Sequence, residues 1–133
     1  MMESTSSDKQ ALIEHILSQL ASSCELIMLW NKNLTSTDQY LCSPEGMQKM
    51  AATCMLLESI GEGVKKINKI IPGFLTNIFP DIPWKNIMGL RDHIAHGYFN
   101  LDAGIIYDVA INEIPNLHNV FTLLQTRLQQ NLQ

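Results

Sequence analysis

Cysteine is scarce and scattered in this chain. Only three occur, Cys24, Cys42 and Cys54, and no two of them form a C-x-x-C pair. An odd, widely spaced set predicts neither a disulfide framework nor a zinc knuckle. We therefore expect free, buried thiols of the kind that persist in a reducing cytoplasm.

Positive charge is also in short supply. Nine Lys and Arg residues face thirteen Asp and Glu residues, which gives a net charge of −4. Proteins that bind duplex nucleic acid non-specifically usually carry a basic footprint, so this composition argues against that class. It leaves room for a small local site in which Lys85, Lys65 or Lys66 accompanies Arg91. It also suits a surface that mainly contacts another protein.

Long apolar runs and targeting signals are missing as well. No uninterrupted apolar stretch approaches the ~20 residues of a membrane span. The first ten residues, MMESTSSDKQ, lack the basic-then-apolar order of a signal peptide. We expect a cytoplasmic protein without a membrane partner.

What the chain does contain is helical periodicity. Its 133 residues fit one domain, and a hydrophobic content of 46% is enough for a core. No β-hairpin signal or internal repeat interrupts the pattern. We predict one all-α domain over residues 1–133, an up-and-down bundle of four to five helices, with polar tails at about 1–8 and 127–133. The helices are expected to begin near Asp8, Pro44, Trp84, Ala103 and Pro115.

The segment from Trp84 to Asn100, WKNIMGLRDHIAHGYFN, concentrates the ionisable groups of the chain. On a single helix, its apolar residues fall on one stripe that also carries Arg91. An arginine there needs a partner, because burying an unpaired charge costs several kcal/mol. Three interpretations stay open: a structural ion pair, for which Arg91→Met would be tolerated, an arginine whose stem packs while its head reaches solvent, or a cationic head that awaits an anion in a cleft.

His96 follows Arg91 by five residues, which separates the two by about 140° around a helix axis. A symmetric partner helix could bring an arginine and a histidine together across a two-fold axis. Asp92 could orient His96 or neutralise Arg91, and His93 shares an edge with His96. If Gly97 ends the helix, the dipole favours the protonated histidine. A proton-transfer group beside a fixed cation is what cleavage of a phosphodiester requires.

Metal and cofactor chemistry find less support. His93 and His96 have ligand spacing, but no H-E-x-x-H or E-x-x-H pattern supplies further ligands. Glu58 and Glu62 lie one helical turn apart, and a solvated face is the default for such a pair. We predict no metal and no cofactor.

The motif also carries a family resemblance. RDHIAHGY contains R-x4-H followed by G-Y, and it resembles the active-site motif of the HEPN superfamily in its HepT-like branch. The likeness covers roughly residues 35–120. The further stretches that carry it are Ser43–Glu45, Leu57–Ile67, Pro80–Arg91 and Glu113–Leu117.

This resemblance implies a metal-independent endoribonuclease, the toxin of a toxin–antitoxin pair, with a composite site at the interface of a symmetric homodimer. Arg91 would stabilise the scissile phosphate of the RNA, and His96 would be the general acid or base for attack by the 2′-hydroxyl. Tyr98 would be the tyrosine that a cognate MntA-like nucleotidyltransferase antitoxin adenylylates. The branch mostly has asparagine where this chain has Asp92.

A non-catalytic function competes with the ribonuclease. In that alternative, the helical dimer is a nucleotide- or protein-binding module that partners a nucleotidyltransferase. The acidic composition and Asp92 favour the module, whereas the intact R-x4-H-G-Y motif favours the enzyme. Growth arrest on expression of this chain alone would support only the toxin.

Overall fold

The structure, a computed structural model, describes residues 6–97 and 101–131, and the side chains of residues 7–94 and 101–130. It contains no strand in those ranges, so the prediction of an all-α fold is confirmed. The helices are α1 (Ser6–Asn31), α2 (Asp38–Leu41), α3 (Pro44–Ile70), α4 (Phe74–Ile78), α5 (Trp84–Met88), α6 (Leu90–Gly97), α7 (Ala103–Asp108) and α8 (Ile114–Asn131).

Helices α1 and α3 pack antiparallel to each other. Asn31, at the end of α1, donates a hydrogen bond to Thr53 in the first half of α3 at 3.0 Å. Leu20, in the middle of α1, instead contacts Gly63 in the second half of α3. Helix α3 begins where the sequence predicts, because the Ser43 side chain accepts a hydrogen bond from the Gly46 amide.

Helices α1 and α8 are antiparallel too. Glu25 contacts His118 at 3.0 Å, and Glu14, three turns earlier in α1, accepts a hydrogen bond from Gln129 at 3.2 Å. Helix α1 thus lies between α3 and α8, and this arrangement agrees with the predicted up-and-down order. Its buried face accounts for its apolar composition.

Helix α1 is also, among the described residues, the one helix long and apolar enough by length and composition to cross a membrane. A core helix of a soluble bundle passes the same test. In this chain Ile13, Leu17 and Ile27 are fully buried against the other helices.

A buried polar network fixes the connector between α1 and α3. The Tyr40 hydroxyl donates to Asn31 Oδ1 at 2.6 Å, and Asn31 Nδ2 donates to Thr53 Oγ1 and to the Ile27 carbonyl. Asn31, Thr53 and Tyr40 are all fully buried. Each polar group has a partner, so the network orders α2 without the cost of an unsatisfied buried group.

The link into the last helix differs from the prediction. Helix α7 does not stop before the last helix but continues through a π-helical turn, Val109–Glu113, directly into α8. Pro115 cannot donate a backbone hydrogen bond, and its ring would clash with the carbonyl four residues earlier, inside that wider turn. Helix α8 runs on to Asn131, because Leu128, 2% exposed, extends its apolar stripe into the core.

Candidate active site

The motif segment is not the single helix that the spacing predicts. Helix α5 ends at Met88 and α6 begins at Leu90, with Gly89 between them. Ile94 is 4% exposed, whereas the Arg91 side chain is 52% exposed and its guanidinium faces solvent. This is the arrangement of an arginine whose stem begins on the packed side of the helix while its charged head reaches solvent.

The junction between α5 and α6 lies directly against α3. An added Cβ at Gly61 would be 2.7 Å from the Ile87 carbonyl oxygen and 3.3 Å from the Arg91 amide nitrogen. No real Cβ approaches backbone that closely, so glycine is what allows the contact. Gly61 thus positions the backbone of Arg91 on α3.

Arg91 contacts two carboxylates. Its Nε lies 3.5 Å from Glu62 Oε2, and its Nη1 lies 3.2 Å from Asp92 Oδ1. Both partners are well exposed, so each pair is worth only about 0.2–1 kcal/mol. Weak, solvent-accessible pairs keep the arginine oriented, and a more strongly bound anion can replace the carboxylates as its partner. The pairing with Asp92 agrees with the prediction that Asp92 could neutralise Arg91.

The other predicted site residues are only partly described. His93 is exposed on α6, and its amide donates to the Gly89 carbonyl at 3.0 Å. His96 lies within α6, but its side chain lies outside the described residues, as does Tyr98 altogether. The structure therefore fixes the position of Arg91 and Asp92 relative to α3, and it leaves the predicted roles of His96 and Tyr98 as predictions.

Glu62 was missed by the sequence analysis, which treated Glu58 and Glu62 as a solvated pair. A signal was present: Gly61 lies within a long helix, and a small residue there can mark the close approach of another element. The neighbour of such a glycine stands beside the approaching segment. In this chain that neighbour is the carboxylate facing Arg91.

Two further features lie apart from Arg91. A mostly apolar cavity of about 240 Å³, bounded by Ile60, Ile87 and Leu90, lies between α3, α5 and the start of α8, and its one charged lining residue among those that the structure describes is Glu113. Within the described ranges, no three His, Cys, Asp or Glu side chains are arranged to hold a metal ion.

Comparison with known proteins identifies the family. The ribonuclease HepT-like family matches residues 11–123, which is most of the chain. The chain therefore belongs to the ribonuclease HepT-like family, and ribonuclease is the enzyme class that this membership gives it. The resemblance drawn from RDHIAHGY is confirmed.

Individual relatives agree with this assignment. A Thermococcus cleftensis protein named a probable ribonuclease HepT is 29% identical over 109 residues, covering 82% of this chain and 92% of the relative. A Caldanaerobacter subterraneus subsp. tengcongensis protein with a provisional RNase name is 31% identical over 105 residues, covering 79% of this chain and 83% of the relative.

A third relative matches over a shorter span. A Methanocaldococcus jannaschii protein, also with a provisional RNase name, is 43% identical over 60 residues. That match covers 45% of this chain and only 46% of the relative, so this chain spans about half of that protein's length. No solved structure matches the chain at a significant level.

Proposed function

We propose that this ribonuclease is a metal-independent RNA endonuclease and the toxin of a cytoplasmic toxin–antitoxin pair. In this proposal the RNA 2′-hydroxyl attacks the adjacent phosphorus, the 5′-oxygen leaves, and one product ends in a 2′,3′-cyclic phosphate. Arg91 stabilises the charge that develops on the phosphate, and His96 transfers the proton. The observation that carries the proposal is the solvent-facing guanidinium of Arg91, on the helix that bears the R-x4-H motif. It contacts only exposed carboxylates, those of Glu62 and Asp92, which a phosphate can displace.

The proposed site is composite, with a second copy of the chain completing it. Positions 91 and 96 are about 140° apart on α6, so one helix does not present both to one phosphate. Ile94 is buried, and position 96 is on the opposite side of the helix axis from it, about 160° away. A symmetric dimer with α6 near its two-fold axis would pair Arg91 of one protomer with His96 of the other.

Regulation by a partner enzyme completes the proposal. A cognate MntA-like nucleotidyltransferase antitoxin would adenylylate Tyr98, adding a negatively charged group two residues from His96. A bulky phosphate ester at that position would compete with the RNA phosphate for Arg91. An intact mass of the chain co-expressed with the antitoxin, compared with the Tyr98→Phe variant, tests this part.

Cleavage of RNA in EDTA by purified protein tests the catalytic proposal. Arg91→Ala and His96→Ala should each lose at least about 100-fold in rate, the usual contribution of a general acid or base. Arg127→Ala, which removes an exposed arginine on α8, is the control and should keep parental activity. Parental cleavage by both site variants would refute the mechanism.

A non-catalytic binding module is the second candidate. The pairing of Arg91 with Glu62 and Asp92 favours it, because a neutralised arginine has less field to offer a phosphate. Its signature would be an unmodified protein that binds a nucleotidyltransferase but leaves RNA intact. Growth arrest by this chain alone, abolished by His96→Ala, would exclude the module.

A further inference from the structure

A second group of cations stands on the same side of α3 as the Arg91 contact. Residues 63–80 contain three lysines, Lys65, Lys66 and Lys69, and no carboxylate. All three are exposed, and no carboxylate in the described part of the chain pairs with them. In a chain with a net charge of −4, this is a local excess of positive charge.

The packing of α3 fixes where these lysines point. On a helix, positions 61 and 63 lie about 100° to either side of position 62. Gly61 is covered by the α5–α6 junction, and Gly63 is covered by Leu20 of α1. Position 62 therefore faces outward between the two neighbouring elements. Positions 65, 66 and 69 lie within about 60° of that same outward direction.

Along α3, the lysines follow Glu62, the residue that Arg91 contacts. Glu62 contacts Arg91, and Lys66 and Lys69 lie roughly 6 and 10 Å further along the α3 axis. Both line a groove of about 470 Å³ between α1 and α3, whose other polar lining residues are His15 and Gln19. No carboxylate lines this groove. Glu14, the neighbour of His15, is bound to Gln129 on α8.

Helix stability accounts for only part of this cluster. A lysine in the last turn complements the helix dipole, which explains Lys69, and Glu62 stands three and four residues before Lys65 and Lys66, at spacings that favour a helix. Lys65 and Lys69 are four residues apart, and Lys66 and Lys69 are three apart, spacings at which like charges on a helix repel. Unpaired, mutually repelling lysines along an open groove are the arrangement expected where an anionic chain binds.

We propose that Lys66 and Lys69, with Lys65 beside them, bind backbone phosphates of a single RNA strand whose scissile phosphate lies at Arg91. The inference rests on the proposed function in that RNA is taken as the ligand. A single helix ridge with a narrow groove serves one strand, and phosphate contacts give register without sequence preference. His15 lies at the same groove and can add an imidazole N–H donor.

Salt-dependent binding of an RNA that cannot react tests this proposal. The probe is a labelled oligouridine with every ribose 2′-O-methylated, measured by fluorescence anisotropy in EDTA over a series of potassium chloride concentrations. Each phosphate contact to a single strand contributes about 0.7 to the slope of log K against log salt, so the Lys66→Gln/Lys69→Gln variant should lose about 1.4 of that slope. Its affinity at low salt should fall with it.

The control removes the same charge elsewhere. Lys32→Gln/Arg127→Gln changes two exposed cations, one just beyond the far end of α1 and one on α8, and should keep the parental slope. Equal loss of slope in both double variants, or no measurable binding by the parent, would overturn the proposal. Unchanged RNA binding with lost antitoxin binding would make the ridge a protein-docking surface, which also overturns it.

The two proposals can fail separately. If the methylated probe binds in a lysine-dependent way but ordinary RNA is not cleaved, the catalytic proposal is wrong and the proposed RNA-binding role of the lysines holds. Arg91-dependent cleavage with lysine-independent binding would do the reverse.

Discussion

At the scale of single residues, the contact between Arg91 and Glu62 decides how much of the arginine's charge is available to a substrate. The two side chains are 52% and 42% exposed, so solvent screens their attraction. A phosphate that reaches Arg91 replaces an exposed carboxylate as its partner and does not have to break a buried ion pair. Glu62 thus acts as an intramolecular competitor of modest strength.

The variant Glu62→Gln should therefore bind RNA more tightly. Loss of about 0.2–1 kcal/mol of competing ion pair corresponds to a KM lower by up to about fivefold. Steady-state cleavage of a defined RNA measures this, with kcat reported separately. Glu58→Gln is the matched control, because Glu58 lies one turn earlier on α3 and forms no ion pair with Arg91 in the described structure. A KM that rises in Glu62→Gln would mean that Glu62 helps to hold Arg91 for the substrate.

At the scale of elements, the position of α6 depends on a backbone contact and not on side-chain packing alone. The apolar pattern of the motif segment predicted a helix there, and helix is what forms. The pattern did not predict the break at Gly89, because a continuous helix and a broken one place Trp84 and Ile87 on the same buried face. At this break, Gly61 of α3 lies against the Ile87 carbonyl, a contact that the spacing within the segment does not reveal.

Two glycines of α3 make this argument testable. A Cβ at Gly61 would meet the Ile87 carbonyl, which is backbone, at 2.7 Å, whereas a Cβ at Gly63 would meet the flexible end of Leu20 at the same distance. Gly61→Ala should displace α5 and α6, cost about 1–3 kcal/mol of stability and reduce cleavage. Gly63→Ala should cost less, because alanine favours the helix by about 1 kcal/mol and Leu20 can turn aside.

Urea unfolding followed by circular dichroism, together with the cleavage assay, separates the two variants. A Gly61→Ala protein with parental activity would show that α6 is held by something other than this contact. A Gly63→Ala protein that loses as much activity as Gly61→Ala would show that α3 tolerates no substitution on either side.

The helices also differ in how well the sequence could predict them. Periodicity and caps located α1, α3 and α8, since Ser43 and the apolar stripe of α8 act within their own helix. The π-helical link into α8 and the Arg91–Glu62 contact were beyond reach. Both depend on how separate segments meet, and spacing within one segment carries no information on that.

At the scale of the whole molecule, charge is divided by region. The net charge of −4 keeps most of the surface unattractive to RNA, while the α3 lysines give one local excess of positive charge beyond the Arg91–Glu62 contact. An acidic protein with a local basic region favours an RNA strand bound at that region over strands that meet the rest of the surface. The reason is that long-range attraction is weak and the contacts at the basic region are short-range. This reconciles the acidic composition with a ribonuclease family.

The ionisable groups of the core make the stability of the folded protein depend on pH in the alkaline range. Burial raises the pKa of Cys24 from 9.0 to about 12, that of Cys54 from 9.0 to about 11, and that of Tyr40 from 10.0 to about 12. These groups keep their protons in the folded protein at pH values where the unfolded chain releases them. Stability is therefore unaffected by them below about pH 9 and falls as the pH rises toward the folded-state values.

Urea unfolding between neutral pH and pH 11, in the presence of a reducing agent, should show this decline. Each group that is ionised only in the unfolded chain lowers the free energy of unfolding by up to about 1.4 kcal/mol per pH unit. Cys24→Ala should reduce the alkaline slope of the free energy of unfolding by the contribution of one ionising group. It should also leave a small cavity in the core. Cys42→Ala, at an exposed thiol, is the matched control for removal of a cysteine. A parental slope in Cys24→Ala would mean that this thiol ionises in the fold as readily as in the unfolded chain, and that the core around α1 is open to water at that point.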